Sequence, residues 1–597
     1  MKLMYTCFQV GRLTVVVHGQ VGPAPCRCSE RDPMTQALSV PTPTRVIQGA
    51  VLVVTLSLTA TCLPVMISAA QSTRPNIVMV MADDMRVDDL KYMPRVRRLI
   101  RGTGIEFKNS FSPYPLCCPA RASFLTGTYA HNHKVFSHDE PYGFGSFDDS
   151  KTIATALHRN GYNTGFVGKY LNGYGVQRSR VTGERSHRYV PAGWTDWHGA
   201  VERPDGVSWT GETYNYFNTP YNVNGRIDAT HRGEYQTNTL GAKTRHLVEK
   251  YAGSRKPFFI YLSSVAPHHG SPVESDDPRP IRRTDGLYTE FKTPARPAWV
   301  KGRFDKAITH GPGLPADGSP TEQDMSDKPA MLASAPDLNT AERRALVNIT
   351  RQRAESLYVL DKEIGRIIAK LKRTGEWNNT VFMFTADNGY FLGEHRVRYG
   401  KIKPHEPSLR VPFLITGPGI AKNQVRYDPI TTIGITATIA DYARVTTKLP
   451  YPAEGTSVRA ALTRGDQGWN RVVVYEAIAG KVQPLSDRPT RKERARGFDS
   501  ALTASGIRTG RYKYIRYASG ALELYDLLLD PNEMRSVHRD SAYGAVREDL
   551  YAIWKWYKTC KGTGCVQPMP VPYRVTPAES ASITDHQSRA RIARYGR

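Results

Sequence analysis

The chain has 597 residues, with 81 Lys and Arg against 55 Asp and Glu, for a formal charge of +26. That length can bury a large core, as a few domains or as one large α/β unit. The positive excess favours anionic partners through long-range steering, but no recognised nucleic-acid module appears, which with the leader below argues against a nucleic-acid partner.

Residues 46–70 form an apolar stretch after Arg45 that closes on Ser68-Ala69-Ala70, a small-residue cleavage pattern. A start at Met34 leaves a short basic region, an apolar run and a cut after Ala70. The expectation is a leader over 1–70 with its signal peptide within 34–70, and an exported product. The run is long enough to span a bilayer, but Thr, Ser and Pro64 dilute it, and the residues before Cys62 make a poor lipidation site. No stable membrane span is therefore expected after cleavage. Of the eight cysteines, Cys7, Cys26, Cys28 and Cys62 leave with the leader. Cys560 and Cys565 flank Lys-Gly-Thr-Gly and suit a small-loop disulfide in an oxidising compartment.

Four apolar runs predict strands buried on both faces, and each ends in chemistry. Asn76–Ala82 runs into Asp83-Asp84, and Asn163–Val167 into Gly168-Lys169. Pro257–Ala266 runs into Pro267-His268, and Thr380–Ala386 into Asp387-Asn388-Gly389. Ligand crevices in open α/β sheets lie beyond the carboxyl ends of strands, so these groups are expected at one edge. Asp83, Asp84, Asp387 and Asn388 offer only oxygen, which selects calcium or magnesium over softer metals. Between the first two strands lies Cys117-Cys118-Pro119-Ala120-Arg121. Pro119 suits the first position of a helix, which would set Cys117 just outside a helix N-terminus that favours an anion. Arg121 adds a fixed positive fork suited to sulfate or phosphate oxygens.

Residues 269–338 are rich in Pro, Asp, Gly and Ser, and a loop this long after His268 is expected to rim the site. Asn339-Thr-Ala-Glu342 resembles a capping box and opens a helix with Leu346, Ile349, Leu357, Leu360, Ile364, Ile367 and Leu371 near helical spacing. From about residue 466 the texture changes to short alternating segments and a helix through 551–556. The expected organisation is a catalytic domain over 71–465, a C-terminal subdomain over 466–575 and a polar tail over 576–597.

The C-x-P-x-R segment with Leu125-Thr126-Gly127, the Asp-Asp and Asp-Asn-Gly strand ends, and Lys401-Ile-Lys-Pro-His405-Glu406 before Arg410-Val-Pro412 together resemble the type I sulfatases. Gly168-Lys169-Tyr-Leu171-Asn172 and His131-Asn-His133 are closest to the N-acetylglucosamine-6-sulfatase branch. The resemblance implies an alkaline-phosphatase-like α/β fold, with a large central mixed sheet flanked by helices and a smaller C-terminal sheet-and-helix domain. It implies oxidation of Cys117 to formylglycine by dedicated machinery, and a cation held by Asp83, Asp84, Asp387, Asn388 and residue 117. Arg121, Lys169 and Lys401 would hold sulfate oxygens, with Lys403 a near competitor by spacing, and His268 would protonate the leaving alcohol. His131, His133 and His269 are expected to be structural. The implied activity is hydrolysis of O-sulfate esters, with sulfated sugars such as N-acetylglucosamine-6-sulfate in glycosaminoglycans as substrates. Two alternatives share these residues: a phosphodiesterase or phosphonate hydrolase on the same scaffold, or a polyanion-binding protein whose Cys117 is never converted. Ala120 stands where the family usually has serine, and Leu171 where a histidine is commoner.

Overall fold

The computed structural model describes residues 74–204, 211–446, 449–450, 452–477 and 503–596. The expected leader lies outside the described residues. Among the described residues, no helix is long and apolar enough to cross a membrane.

In chain order the first strands are β1 (Asn76–Ala82), β2 (Ile105–Phe111), β3 (Asn163–Lys169), β4 (Asp196–Ala200), β5 (Tyr221–Val223), β6 (Arg226–Asp228) and β7 (Phe258–Ser263). A small ribbon, β8 (Ile281–Arg282) with β9 (Tyr288–Thr289), precedes β10 (Thr380–Ala386), β11 (Phe413–Thr416) and β12 (Gln424–Thr431). The chain then adds β13 (Val473–Ala477), β14 (Ala504–Arg508), β15 (Tyr512–Tyr517) and β16 (Leu522–Asp526). Ten strands form one mixed sheet in the order β12-β2-β11-β10-β1-β7-β3-β4-β5-β6, and β13 to β16 form a separate antiparallel sheet. All four strands expected from the apolar runs are present and parallel around the centre of the large sheet.

The continuity of those runs has a packing cause. Ile77, Met79 and Met81 of β1 join a core that includes Phe124, Leu157 and Ile439, from helices on one face. Val78, Val80 and Ala82 join Leu240, Leu357, Leu360 and Ile364 on the other. With neither face in water, a polar residue has no place along the strand, and each fully buried aliphatic side chain contributes about 1.5–3 kcal/mol. The long helix is Thr340–Arg373, and Asn339 caps it as expected: its side chain accepts from Glu342 N at 3.0 Å while Glu342 Oε2 accepts from Asn339 N at 2.9 Å.

The predicted polar tail is a correction. Residues Pro577–Tyr595 form a helix, capped by Thr576 and Glu579. It docks through polar groups: Ser580 Oγ donates to Tyr427 O at 2.8 Å, and Thr584 Oγ1 accepts from Asn109 Nδ2 at 2.8 Å. The expected Cys560–Cys565 disulfide is present.

Candidate active site

Strand register sets the carboxylates side by side. Ala82 of β1 pairs with Ala386 of β10, so Asp83 and Asp387 leave the sheet together, and Asp387 N donates to Ala82 O at 3.1 Å. Asp84 turns back with φ +63°, a region costly for a side chain. Its backbone is held there at both ends: Asp84 N donates to Asp387 Oδ1 at 3.1 Å, and Arg353 Nη2 donates to Asp84 O at 2.6 Å. Lys169 ends β3 beside β7, and Gly168 before it has φ +111° with a hypothetical Cβ only 2.0 Å from Ser263 O. Glycine is thus required for Lys169 to reach the edge.

The helix carrying the cysteine begins two residues earlier than Pro119 suggested, spanning Cys117–Thr126 with Leu116 at its N-cap. Cys117 is therefore inside the first turn, not outside it. The proline is still tolerated, because first-turn N–H groups have no intrahelical partner to lose. Every residue of this helix is buried. Cys117 Sγ lies 3.1 Å from Asp83 Oδ1 and 3.9 Å from Asp84 Oδ1. Lys401 Nζ bridges Asp84 Oδ1 at 2.5 Å and Cys117 Sγ at 2.6 Å, and Lys169 Nζ is paired with Asp83 Oδ2.

Arg121 was expected at sulfate oxygens. In the structure its guanidinium ties the strand ends together. Nε donates to Asp387 Oδ2 at 2.8 Å, Nη1 donates to Lys169 O at 3.2 Å and to Ser263 Oγ, and Nη2 is 3.5 Å from Asp83 Oδ2. His268 Nδ1 donates to His269 O at 2.6 Å, which turns Nε2 toward Asp84 Oδ2, 3.6 Å away. Tyr214 stacks against this group, its ring 4.7 Å from that of His268 and 4.8 Å from Lys169 Nζ. Lys403 is buried beside the Phe391 ring at 5.9 Å, and burial pushes its ammonium down to about 7. His133 is structural, bonded to Ser123 Oγ and Val135 N; His131 is likewise held by Glu476 and Cys560 O.

Charges here are strongly coupled. Burial alone would raise Asp83, but the cations Lys169, Arg121 and Lys401 outweigh it and hold the carboxyl well below its usual range. Burial and then the Asp83 charge push the Cys117 thiol well above its ordinary value. Burial and His269 hold His268 neutral. Lys401 stays protonated against burial because the Asp84 carboxylate faces it, with Asp83 close by.

The donor set fits a hard divalent cation. Asp84 Oδ2 and Asn388 Oδ1 are buried oxygens with no hydrogen-bond partner, a costly state unless a cation or water meets them. Asp83, Asp84, Cys117 and His268 each present one ligand atom within 4.8 Å of the others. Asp387 is drawn in less: Oδ1 accepts from Asp84 N and Asn388 N, while Oδ2 faces Arg121.

Above these groups opens a cavity of about 540 Å³, with Asp84, His268 and Lys401 in its lining. His269, Asp277, Phe291 and Lys292 line it too, so the long segment after His268 does rim it. Tyr214, Asn172 and Arg353 were not assigned roles from sequence. Asn172 had a local cue, three residues past Lys169, whereas Tyr214 and Arg353 reach in from segments with no motif.

A family model described as Sulfatase matches residues 75–445. An arylsulfatase from Volvox carteri is 28% identical over 84% of this chain and 77% of its own length. An N-acetylglucosamine-6-sulfatase from Capra hircus is 29% identical over 64% of this chain and 62% of its own. Among solved structures, a phosphonate monoester hydrolase from Silicibacter pomeroyi superposes with a TM-score of 0.56 at 22% identity, covering 84% of this chain and 99% of that one. That likeness shows the alkaline-phosphatase-like fold. The family match runs unbroken from β1, past both aspartate strand ends and the cysteine helix, to the helix that follows β12: the chain belongs to the sulfatase family.

Proposed function

We propose that the chain is an exported hydrolase of O-sulfate esters, with sulfated sugars such as N-acetylglucosamine-6-sulfate as its substrate class. The observation that carries this reading is the meeting of Cys117 Sγ, Asp83, Asp84 and Lys401 within hydrogen-bond reach under one cavity. Asp83, Asp84, Asn388 and residue 117 would hold calcium or magnesium, with Asp387 bracing them. Such an ion supplies Lewis acidity that lowers the pKa of a bound hydroxyl and neutralises developing charge. A buried, neutral thiol beside Asp83 is a poor nucleophile, which supports conversion of Cys117 to formylglycine. That aldehyde, hydrated, supplies both an attacking hydroxyl and a second one through which sulfate can leave.

The chain's own groups then divide the work. Lys169 and Lys401 exchange their carboxylate contacts for sulfate oxygens, and Arg121 keeps Asp83 and Asp387 in place. His268 is neutral without substrate; a sulfate beside it favours the imidazolium, whose Nε2–H faces the leaving oxygen. The disulfide supports an oxidising compartment, and the relatives named arylsulfatase and N-acetylglucosamine-6-sulfatase support the ester class.

The test combines peptide mass spectrometry across Cys117 with parallel assays on sulfate and phosphate esters. The expected result is a thiol-to-aldehyde mass loss, faster turnover of sulfate esters, and a loss of about a thousandfold or more in Cys117→Ala. Preferred turnover of phosphorus esters would favour the phosphonate-hydrolase alternative. Unconverted Cys117 with salt-sensitive binding and no turnover would favour a polyanion-binding protein.

A further inference from the structure

A second cavity, of about 240 Å³, shares no lining residue with the first. The C-terminal helix gives it Ser588, Arg591, Ile592 and Tyr595, and the Glu406–Arg410 segment faces them. Its charges do not balance. Arg86 is taken by Asp88 at 2.9 Å and Glu394 at 2.8 Å, Lys108 by Glu106 at 2.7 Å, and His395 by Glu322 at 2.7 Å. Arg86 leaves one of its two carboxylates over, and beyond these pairs Arg410 and Arg591 of the lining, with Arg508 and Lys513 behind them, stand against Glu406 and Glu533, so one positive charge is in excess.

Both carboxylates are already shared out. Glu406 Oε1 meets Arg508 Nε at 3.0 Å and Lys513 Nζ at 3.4 Å, and Oε2 meets Arg410 Nη2 at 2.9 Å. Glu533 Oε1 meets Lys513 Nζ at 2.6 Å, and its Oε2 accepts from Glu406 N at 2.7 Å. Arg410 and Arg508 spend their other nitrogens on Lys108 O, Thr509 O and Gln587 Oε1. Arg591 is different. Its Nε donates to Gln587 O at 3.3 Å, and among the described residues no carboxylate pairs with its two terminal nitrogens. Burial, with Arg410 and Arg508 nearby, depresses its guanidinium to about 9.

We propose that this cavity binds a small oxyanion, sulfate or phosphate, gripped by the Arg591 fork. The excess positive charge falls on Arg591, whose terminal nitrogens meet no carboxylate among the described residues, and a guanidinium fork matches a tetrahedral oxyanion in geometry. The Lys108 ammonium at the cavity wall keeps two donors beyond the one on Glu106. The site backs onto the active-site loop. Gly389 N donates to Ser408 O at 2.8 Å and Tyr390 N to Pro407 O at 2.7 Å, so the segment facing Arg591 also braces the residues after Asn388.

The test uses the full chain. Inorganic sulfate, and separately phosphate, is titrated calorimetrically at constant ionic strength into wild type, Arg591→Met and Arg591→Lys. Two classes of site are expected in wild type, one being weakened about tenfold or more in Arg591→Met and retained in part in Arg591→Lys. A preference for one anion identifies which is held. Selenate in crystals of the unaltered protein gives an anomalous peak at Arg591 if the proposal holds, and this readout stands even if a variant folds poorly. Unchanged stoichiometry in Arg591→Met, or selenate only beside Lys169 and Lys401, overturns it.

Discussion

At the residue scale, the geometry of the proposed metal ligands depends on a side chain that offers no ligand. Asp84 occupies the left-handed region, and Arg353 holds its carbonyl while pairing with Asp89 Oδ2 at 3.2 Å and lying 4.5 Å from the Tyr390 ring. Arg353→Met leaves the buried Asp84 carbonyl unpaired and the Asp89 carboxylate without its cation, holding only the Arg86 N–H at 3.2 Å, which costs about 3–5 kcal/mol. It should also weaken calcium binding about tenfold or more, as loss of a supporting partner does at other metal sites. Calcium calorimetry decides this: unchanged affinity in a folded Arg353→Met would assign Arg353 to stability alone. The side chains gathered at the candidate site were legible because apolar strands end abruptly in Asp83, Lys169, His268 and Asp387, and motif spacing added Lys401. Arg353 was not, since one arginine on an amphipathic helix carries no sign of where its fork ends.

At the element scale, the signals that worked were local and reciprocal. Asn339 caps the long helix through Glu342, and its Nδ2 also donates to Arg282 O at 3.0 Å. Asn339→Ala should lower stability by about 1 kcal/mol, seen as a lower denaturant midpoint at unchanged slope; an unchanged midpoint would mean that backbone or water replaces the cap. The cysteine helix shows the limit of such cues. Proline fits several first-turn positions, so Pro119 marked the turn without fixing its first residue. The C-terminal helix had an equally good start in Thr576-Pro577 with Glu579. It was missed because its buried positions include Ser580, Thr584 and Gln587, which leave no apolar period to read. Polar docking is invisible to hydrophobic pattern.

At the scale of the whole molecule, that helix is a clasp across parts distant in sequence. It reaches the edge strand of the large sheet through Ser580 and Tyr427 O, and β2 through Thr584 and Asn109. Gln587 Oε1 accepts from Arg508 at the end of β14, 3.3 Å away. Arg594 closes onto the rim segment, its carbonyl accepting from Ala316 N at 2.8 Å and its Nη2 donating to Thr321 O at 2.7 Å. A chain ended after Val575 loses all of these at once. Each net hydrogen bond is worth about 0.5–1.5 kcal/mol, so the summed loss should reach several kcal/mol, more than any single cap. Differential scanning calorimetry of the truncated and full chains measures it, with the sulfate titration repeated on both. A tail merely polar and solvated would leave the transition unmoved. A clasp should lower it and abolish the second anion site together, because the same helix carries Arg591.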